Sequence, residues 1–261
     1  EEQEQKRKSE LLALQNQITP HFLYNTLDSI IWMAEAKQYS KVVKMVAALA
    51  RLLRLSISRG DELVSVRDEI QHIRNYLTIQ KMRYTDMLDF TIDVDSSIQD
   101  LLVPKVILQP LVENAIYHGI KNKEGGGYVA VRGLRERYDV LLIVSDDGVG
   151  ADPAQMEAIL AREAGVPAPS GASHPAGDAA TVVAPASANT TAGRHPPRSR
   201  RRTRVGIANV HERIRLYFGV GYGLRFAVNG DSADGGTTVE VRLPVVSPNA
   251  THGRGNGSEG E

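Results

Sequence analysis

Cysteine is absent from this chain, which excludes disulfides, thiolate metal sites and cysteine nucleophiles and fits a reducing compartment. An excess of either charge is absent too. Lysine plus arginine and aspartate plus glutamate number 31 each, so overall charge points neither to a nucleic-acid partner nor to an acidic surface, and functional charge must be local. No apolar run approaches the ~20 residues needed to span a bilayer, and no signal-peptide pattern is visible. What is present is a chain of 261 residues, 42% of them hydrophobic. That suffices for one large soluble domain or two ordinary ones, each with a buried core.

The first third reads as helical. "EEQEQKRKSELLALQNQI" is charged, with Leu11, Leu14 and Ile18 three and four apart, and looks like a helix entered from upstream, with a membrane-bound parent expected beyond it. "SKVVKMVAALARLLRLSIS" places Val42, Val46, Leu49 and Leu53 on one face among lysines and arginines. "SVRDEIQHIRNYLTIQKMRY" opens with a capping-box pattern, Ser65 then Asp68, and repeats Ile70, Ile73 and Leu77 on its apolar side. From about Leu88 the texture changes. "LDFTIDVD" alternates like a half-buried strand, "VPKVILQPLVENAIYHGI" reads as a helix after Pro104, and "GYVAVRGL" and "DVLLIVSDDG" read as strands. "GIANVHERIRLYF" reads as a helix, followed by the strands "YGLRFAVNG" and "GTTVEVRLP".

The expected fold class is therefore α+β: a helical hairpin domain over 1–86, then an α/β sandwich over 87–244 with helices on one face of a mixed sheet. Residues 245–261 are expected to form a disordered tail. Between the strands and the last helix, residues 151–203 begin with a short helical piece, "PAQMEAILAREAG", and then become rich in Ala, Pro, Gly, Ser and Thr. Too few large apolar residues remain for a core, so 166–202 is expected to be a disordered insertion. Its basic end, "RHPPRSRRRTR", reads either as a phosphate-attracting lid or as a solvated linker.

Several short stretches carry chemistry. In "LQNQITPHFLYNTLDSI", Pro20 stands directly before His21, and proline in a helix interior costs roughly 3 kcal/mol, so a kink before His21 reads as a segment able to bend. Neutral imidazole is a competent nucleophile near neutral pH. Asn25 lies one turn on, where it can orient the ring or position a water. "LVENAIYHG" places Glu113, Asn114 and His118 on a helix, "DDGVG" runs from Asp146 to Gly150, "RVGIANVHERI" opens a helix with Gly206, and "GGTTVEVRLP" carries Thr237. Singly these are ordinary punctuation. His72 and His211 show no metal-ligand spacing.

In that order, the stretches resemble the ATP-binding fold shared by histidine kinases, gyrase, Hsp90 and MutL, over roughly 87–244. The resemblance implies that Asn114 is a Mg²⁺ ligand, that Asp146 accepts from the adenine amino group, and that Thr237 supports that contact. It also implies that Gly148 and Gly150 let backbone approach the nucleotide and that Gly206 sits at the phosphates. The physics agrees: glycine permits close approach, and a helix N-terminus favours phosphate. His118, one turn after Asn114, reads either as lining the nucleotide site or as a helix-end residue bonded locally. Gyrase-like clamps place a catalytic glutamate where this chain has Pro110.

Within that superfamily "QITPHFLYNTLDSI", "IQKMRY", "LQPLVENAIYHGI" and "DDGVG" resemble the LytS/YesM type of sensor histidine kinase, over residues 10–244. That implies ATP and Mg²⁺ as cofactors, autophosphorylation on His21, and transfer to an aspartate of a response regulator receiver domain. The wide apolar faces of 10–36 and 40–58 predict that two hairpins pair into a four-helix bundle and a homodimer. No nucleic-acid partner is expected. The expected location is cytoplasmic, as part of a cell-membrane sensor touching the membrane only through an N-terminal sensor region. The chain departs from the pattern at three places. Phe22 follows His21 where an acid is common, leaving Asp28 or Glu113 as more distant candidates for a base. Tyr117 replaces a common lysine, leaving Lys121 or Lys123 to neutralise phosphate. Arg204 replaces a glycine two before Gly206.

Overall fold

Two helices, α1 (Pro20–Glu35) and α2 (Tyr39–Ile57), form a hairpin at the start of the described chain. The structure is a computed structural model that describes residues 20–57, 62–85, 87–151, 156, 160, 198–228 and 235–248. The hairpin turns through Lys37 at φ 58°, closed by bonds from the Lys37 and Gln38 amides to the carbonyls of Ala34 and Met33. Helix α2 buries Met45, Ala48, Leu49 and Leu52, while Val46 of the expected stripe stays exposed. The apolar pattern on α2 is wider than one contact can cover. The face chosen is the one that meets the next helix.

That helix, α3 (Val66–Arg83), follows the short strand β1 (Leu63–Ser65). Ser65 caps it as expected, its Oγ accepting from the Asp68 amide at 3.1 Å and donating to the Asp68 carboxylate at 2.7 Å. Ile70, Ile73 and Leu77 are buried, and so are Val66, Tyr76, Ile79 and the polar Glu69, His72, Asn75 and Gln80. Periodicity reveals one apolar stripe on α3, whereas the fold covers the helix on several sides. It packs against the hairpin and also against β2 (Leu88–Val94) and the helix α4 (Gln109–Asn114). In addition, β1 pairs antiparallel with β3 (Leu102–Pro104). So α3 is bound to both parts of the molecule.

Strands β2, β4 (Gly127–Glu136), β5 (Asp139–Asp146), β6 (Gly223–Val228) and β7 (Thr237–Pro244) form a five-stranded sheet in the order β2-β4-β5-β7-β6. Only β2 and β4 run parallel. The alternation of β7 turns Thr237, Val239, Val241 and Leu243 inward. There Val239, Val241 and Leu243 join one core with Leu111 and Val112 of α4 and Ile207, Val210 and Ile214 of α5 (Arg198–Phe218). Each such side chain contributes about 1.5–3 kcal/mol by leaving water. This is the α+β architecture expected from the sequence.

Three local expectations are corrected. The helix read after Pro104 begins only at Gln109, because the Glu69 carboxylate, on α3, takes the amides of Val106, Ile107 and Leu108 at 2.7, 2.8 and 2.9 Å and holds 105–108 as a turn. Residues 198–202, expected to be disordered, are the first turn of α5; 161–197 lie outside the described residues. Val245 and Val246, assigned to the tail, are tied down by bonds from the Val245 amide to Tyr138 and from the Leu102 amide to Val246; the tail from 249 onward is outside the described residues. Met156 and Leu160 are helical and buried, as the short helical piece predicts. No helix among the described residues is long and apolar enough to cross a membrane.

Candidate functional site

Strand β5 ends on Asp146, which the inward alternation buries to 6% exposure. Burial pushes its carboxyl up to about 6, and neighbouring Asp147 adds to the rise. Hydrogen bonds from the Gly148 and Thr237 amides and the charge of Lys123 pull the other way. The Gly148 bond is 2.9 Å long, and Thr237 stands opposite Asp146 in the β5–β7 register and is buried.

Beyond Asp146 the "DDGVG" turn lies directly on the turn that continues α4. A π-helical turn, Ala115–Gly119, follows Asn114, a local widening that is frequent at functional sites. A Cβ on Gly119 would run into the Asp146 carboxylate, and one on Gly148 would overlap the Gly119 backbone. The Val149 amide donates to the Gly119 carbonyl at 3.3 Å. Gly150 adopts φ 79°, a region L side chains rarely adopt, and approaches Gly236. Asn114 is buried at the end of α4 and His118 half-buried on the next turn. The His118 carbonyl accepts from the Asn122 side chain.

The structure thus brings Asp146, Gly148 and Thr237 together at one turn-on-turn contact with Gly119, with Gly150 set against Gly236, while Asn114 and His118 lie on the helical turns that lead to Gly119. Gly206 is placed differently from expectation. It lies well inside α5, where backbone amides are already bonded to the preceding turn and are not offered to phosphate as those of a helix N-terminus are. A Cβ there would meet only Pro110 of α4, at an ordinary van der Waals distance of 3.6 Å. The two lysines proposed for phosphate are both engaged. Lys123 bonds the Asp147 carbonyl at 2.8 Å and its carboxylate at 3.1 Å, and Lys121 lies 4.4 and 4.3 Å from the Tyr84 and Tyr117 rings with its ammonium depressed by burial. Gly119, Gly235 and Gly236 are site residues that the sequence reading missed. The only signal for Gly119 was its place after His118 at an apparent helix end.

His21 is on a separate element. Its ring is exposed on α1, with Asn25 Nδ2 at 3.0 Å from both Nδ1 and Nε2. The next residue turns inward: Phe22 is 3% exposed and stacks on Tyr76 of α3 at 5.1 Å between centroids. Pro20 is the first described residue of α1. Residues 1–19, on which the kink expectation depends, lie outside the described residues.

Comparison with known proteins separates the same two regions. A family described as "Histidine kinase" matches residues 9–88, and one described as "Histidine kinase-, DNA gyrase B-, and HSP90-like ATPase" matches residues 100–247. Sensor histidine kinase YesM of Bacillus subtilis (strain 168) is 33% identical over 238 residues, 91% of this chain and 34% of YesM. This chain belongs to the sensor histidine kinases of the LytS/YesM type. Sensor histidine kinase YpdA of Escherichia coli (strain K12) is 30% identical over 85% of this chain and 33% of its own length. Sensor protein LytS of Staphylococcus saprophyticus is 28% identical over 59% of this chain and 26% of its own. The chain spans about a third or less of the length of these relatives.

As a histidine kinase the chain carries an ATP-binding domain. The Asp146 site fits adenine in its chemistry: a buried acceptor packed against a glycine backbone contact with no room for a side chain at Gly119 or Gly148. Gly119→Ala is therefore expected to displace the carboxylate or the "DDGVG" turn and to weaken ADP binding at least about tenfold, the order of one disrupted buried hydrogen bond. Calorimetric titration checks this, and parent-like affinity would contradict it.

Proposed function

We propose that this chain transfers the γ-phosphoryl group of ATP to His21 and then to an aspartate of a response regulator receiver domain. In the first step a lone pair on one imidazole nitrogen forms the N–P bond as the bond to the ADP oxygen breaks. Such transfer depends on positioning and charge neutralisation more than on covalent help from the protein. Asn25 holds the ring of His21. Asp146 accepts from the adenine amine with Thr237 in support, and Gly148 and Gly150 let the backbone close on the nucleotide. Asn114 offers an amide oxygen to Mg²⁺, with His118 lining the site. Hard oxygen ligands suit that ion, which is usually shared with substrate phosphates; among the described residues no group of three or more His, Cys, Asp or Glu could hold a metal alone. When bound, Mg²⁺ offsets charge on the phosphate oxygens.

The observation that carries this reading is the buried Asp146 carboxylate set under Gly119 in a chain of this family. Labelled ATP with Mg²⁺ tests it, since a phosphohistidine is labile to acid. No label, or an acid-stable one, would refute autophosphorylation on histidine.

Residues 1–86 serve, in this proposal, as phosphoacceptor and dimerisation region, and 87–244 as the ATP-binding domain. The reading places them on the cytoplasmic side, as the kinase portion of a cell-membrane sensor. Support for dimerisation comes from Tyr24, Leu27, Ile31 and Trp32 on α1 and Val43 and Val46 on α2, all large, apolar and exposed. Isolated exposed apolar residues are normal, whereas a series along one hairpin favours a partner. Sedimentation at micromolar concentration is expected to show a homodimer, and Trp32→Glu to shift it toward monomer; a monomeric parent would count against the four-helix bundle.

A further inference from the structure

Between β3 and α4 the chain makes a turn that its own residues do not favour. Val106 sits at φ 55°, where a β-branched residue is a genuine outlier. The turn is held from two sides. Glu69 of α3, fully buried, accepts the Val106 amide on Oε2 and the Ile107 and Leu108 amides on Oε1. Arg213 of α5 donates from Nη2 to the carbonyls of Lys105 and Val106 at 2.8 and 3.2 Å. An acid from one helix and a base from another thus clamp the residues that open α4.

A second link from α3 runs to the far end of the same helix. His72 Nε2 lies 2.7 Å from Gln109 Oε1, and Gln109 Nε2 donates to Glu113 Oε1 at 2.8 Å. Glu113 directly precedes Asn114. Strain of this kind persists only where the surroundings over-determine it, and here the over-determined turn sets where a short helix delivers its last residues.

We propose that Glu69 is a positioning residue for phosphoryl transfer: by holding the Lys105–Leu108 turn in its strained form against Arg213, it fixes the register in which α4 presents Asn114. This rests on Asn114 acting at the Mg²⁺–nucleotide site. Through Phe22, stacked on Tyr76 of the same α3, the clamp also ties the placement of Asn114 to the helix that bears His21.

The test is Glu69→Gln in the full chain, which keeps shape but loses acceptor capacity for the three amides. Outer-shell partners of metal ligands typically control about 10- to 100-fold in affinity. Glu69→Gln is expected to lose about that much in Mg²⁺-dependent ADP affinity and in the rate of His21 labelling. Adenosine affinity, which reports Asp146, should stay within about twofold of the parent on that reasoning. Adding Val106→Gly, which makes the turn's φ free of steric cost, should restore most of the Mg²⁺-dependent part. Arg213→Lys keeps the charge but not the two-carbonyl grip, and carries the test if Glu69→Gln does not fold; it should lose the same Mg²⁺-dependent part to a smaller extent.

A folded Glu69→Gln with parent-like Mg²⁺-dependent affinity overturns the inference. So does loss of adenosine and Mg²⁺-dependent affinity in equal measure, with a lowered melting temperature and no rescue by Val106→Gly, which would mark Glu69 as structural only. Where Arg213→Lys carries the test, parent-like Mg²⁺-dependent affinity overturns it too. A parent that shows no Mg²⁺-dependent nucleotide binding overturns the reading beneath it as well, so the two failures are distinguishable.

Discussion

Replacing His21 by glutamine is expected to abolish acid-labile labelling by ATP while leaving ADP affinity within about twofold, since exposed substitutions away from a site usually change little. The ring is exposed and its partner is Asn25, one turn away on the same helix. Glutamine keeps the helix and a polar contact to Asn25 but removes the nucleophilic nitrogen. The core contact of this segment belongs to Phe22, which the substitution leaves in place. Labelling and nucleotide titration on the same preparation separate chemistry from binding. Persistent acid-labile label in the variant would move the phosphoacceptor elsewhere.

The second large effect concerns Asp146 and pH. Its carboxyl is pushed to about 6 by burial, from an ordinary value near 3.9. The folded form is raised above the unfolded one, so the stability contributed by the neutral acid is fully present below about pH 4 and is lost as pH rises through about 6. Adenine recognition runs in the opposite direction, because an ionised carboxylate accepts from the amine more strongly than the neutral acid does. ADP affinity should therefore fall as pH drops below about 6, by at most about tenfold per pH unit, the limit for one linked proton. Asp146→Asn removes that slope, which also cancels the nucleotide's own titration from the comparison. It should weaken binding at pH 7.5 by about 10- to 100-fold, since an amide can present its NH₂ to the adenine amine and leave a buried donor unmade. The free variant should melt higher than the parent above pH 6, with no carboxylate left to bury. Equal affinities, or an unchanged pH slope in the variant, would remove Asp146 from the adenine site.

Much of this site is legible because its parts are local. A strand that alternates and stops at an acid before glycines places Asp146 inward whatever packs above it, and period-two burial on β7 does the same for Thr237. The spacing of His21 and Asn25 on one helix face follows from helical geometry alone. The capping of α3 by Ser65 is equally local. In each case a few neighbouring residues carry all the information.

The remainder depends on residues distant in sequence. That α4 starts at Gln109 and not after Pro104 is decided by the Glu69 carboxylate on α3, which satisfies the turn's amides in place of another helical turn. That Gly206 lies inside α5 follows from helix continuing upstream of it from Arg198, in a stretch whose composition reads as linker. Lys123 is turned from phosphate candidate to structural partner by Asp147, and Gly119 becomes indispensable only because the "DDGVG" turn lands on it. The sequence by itself determined the main helices and strands, their order and the kinase family, and singled out His21 and Asp146 as candidates, since hydrogen-bonded periodicity and short motifs act between near neighbours. Which faces are buried, where α4 begins and which charges remain free were decided only by tertiary structure, because burial and pairing depend on groups that the chain brings together after it folds.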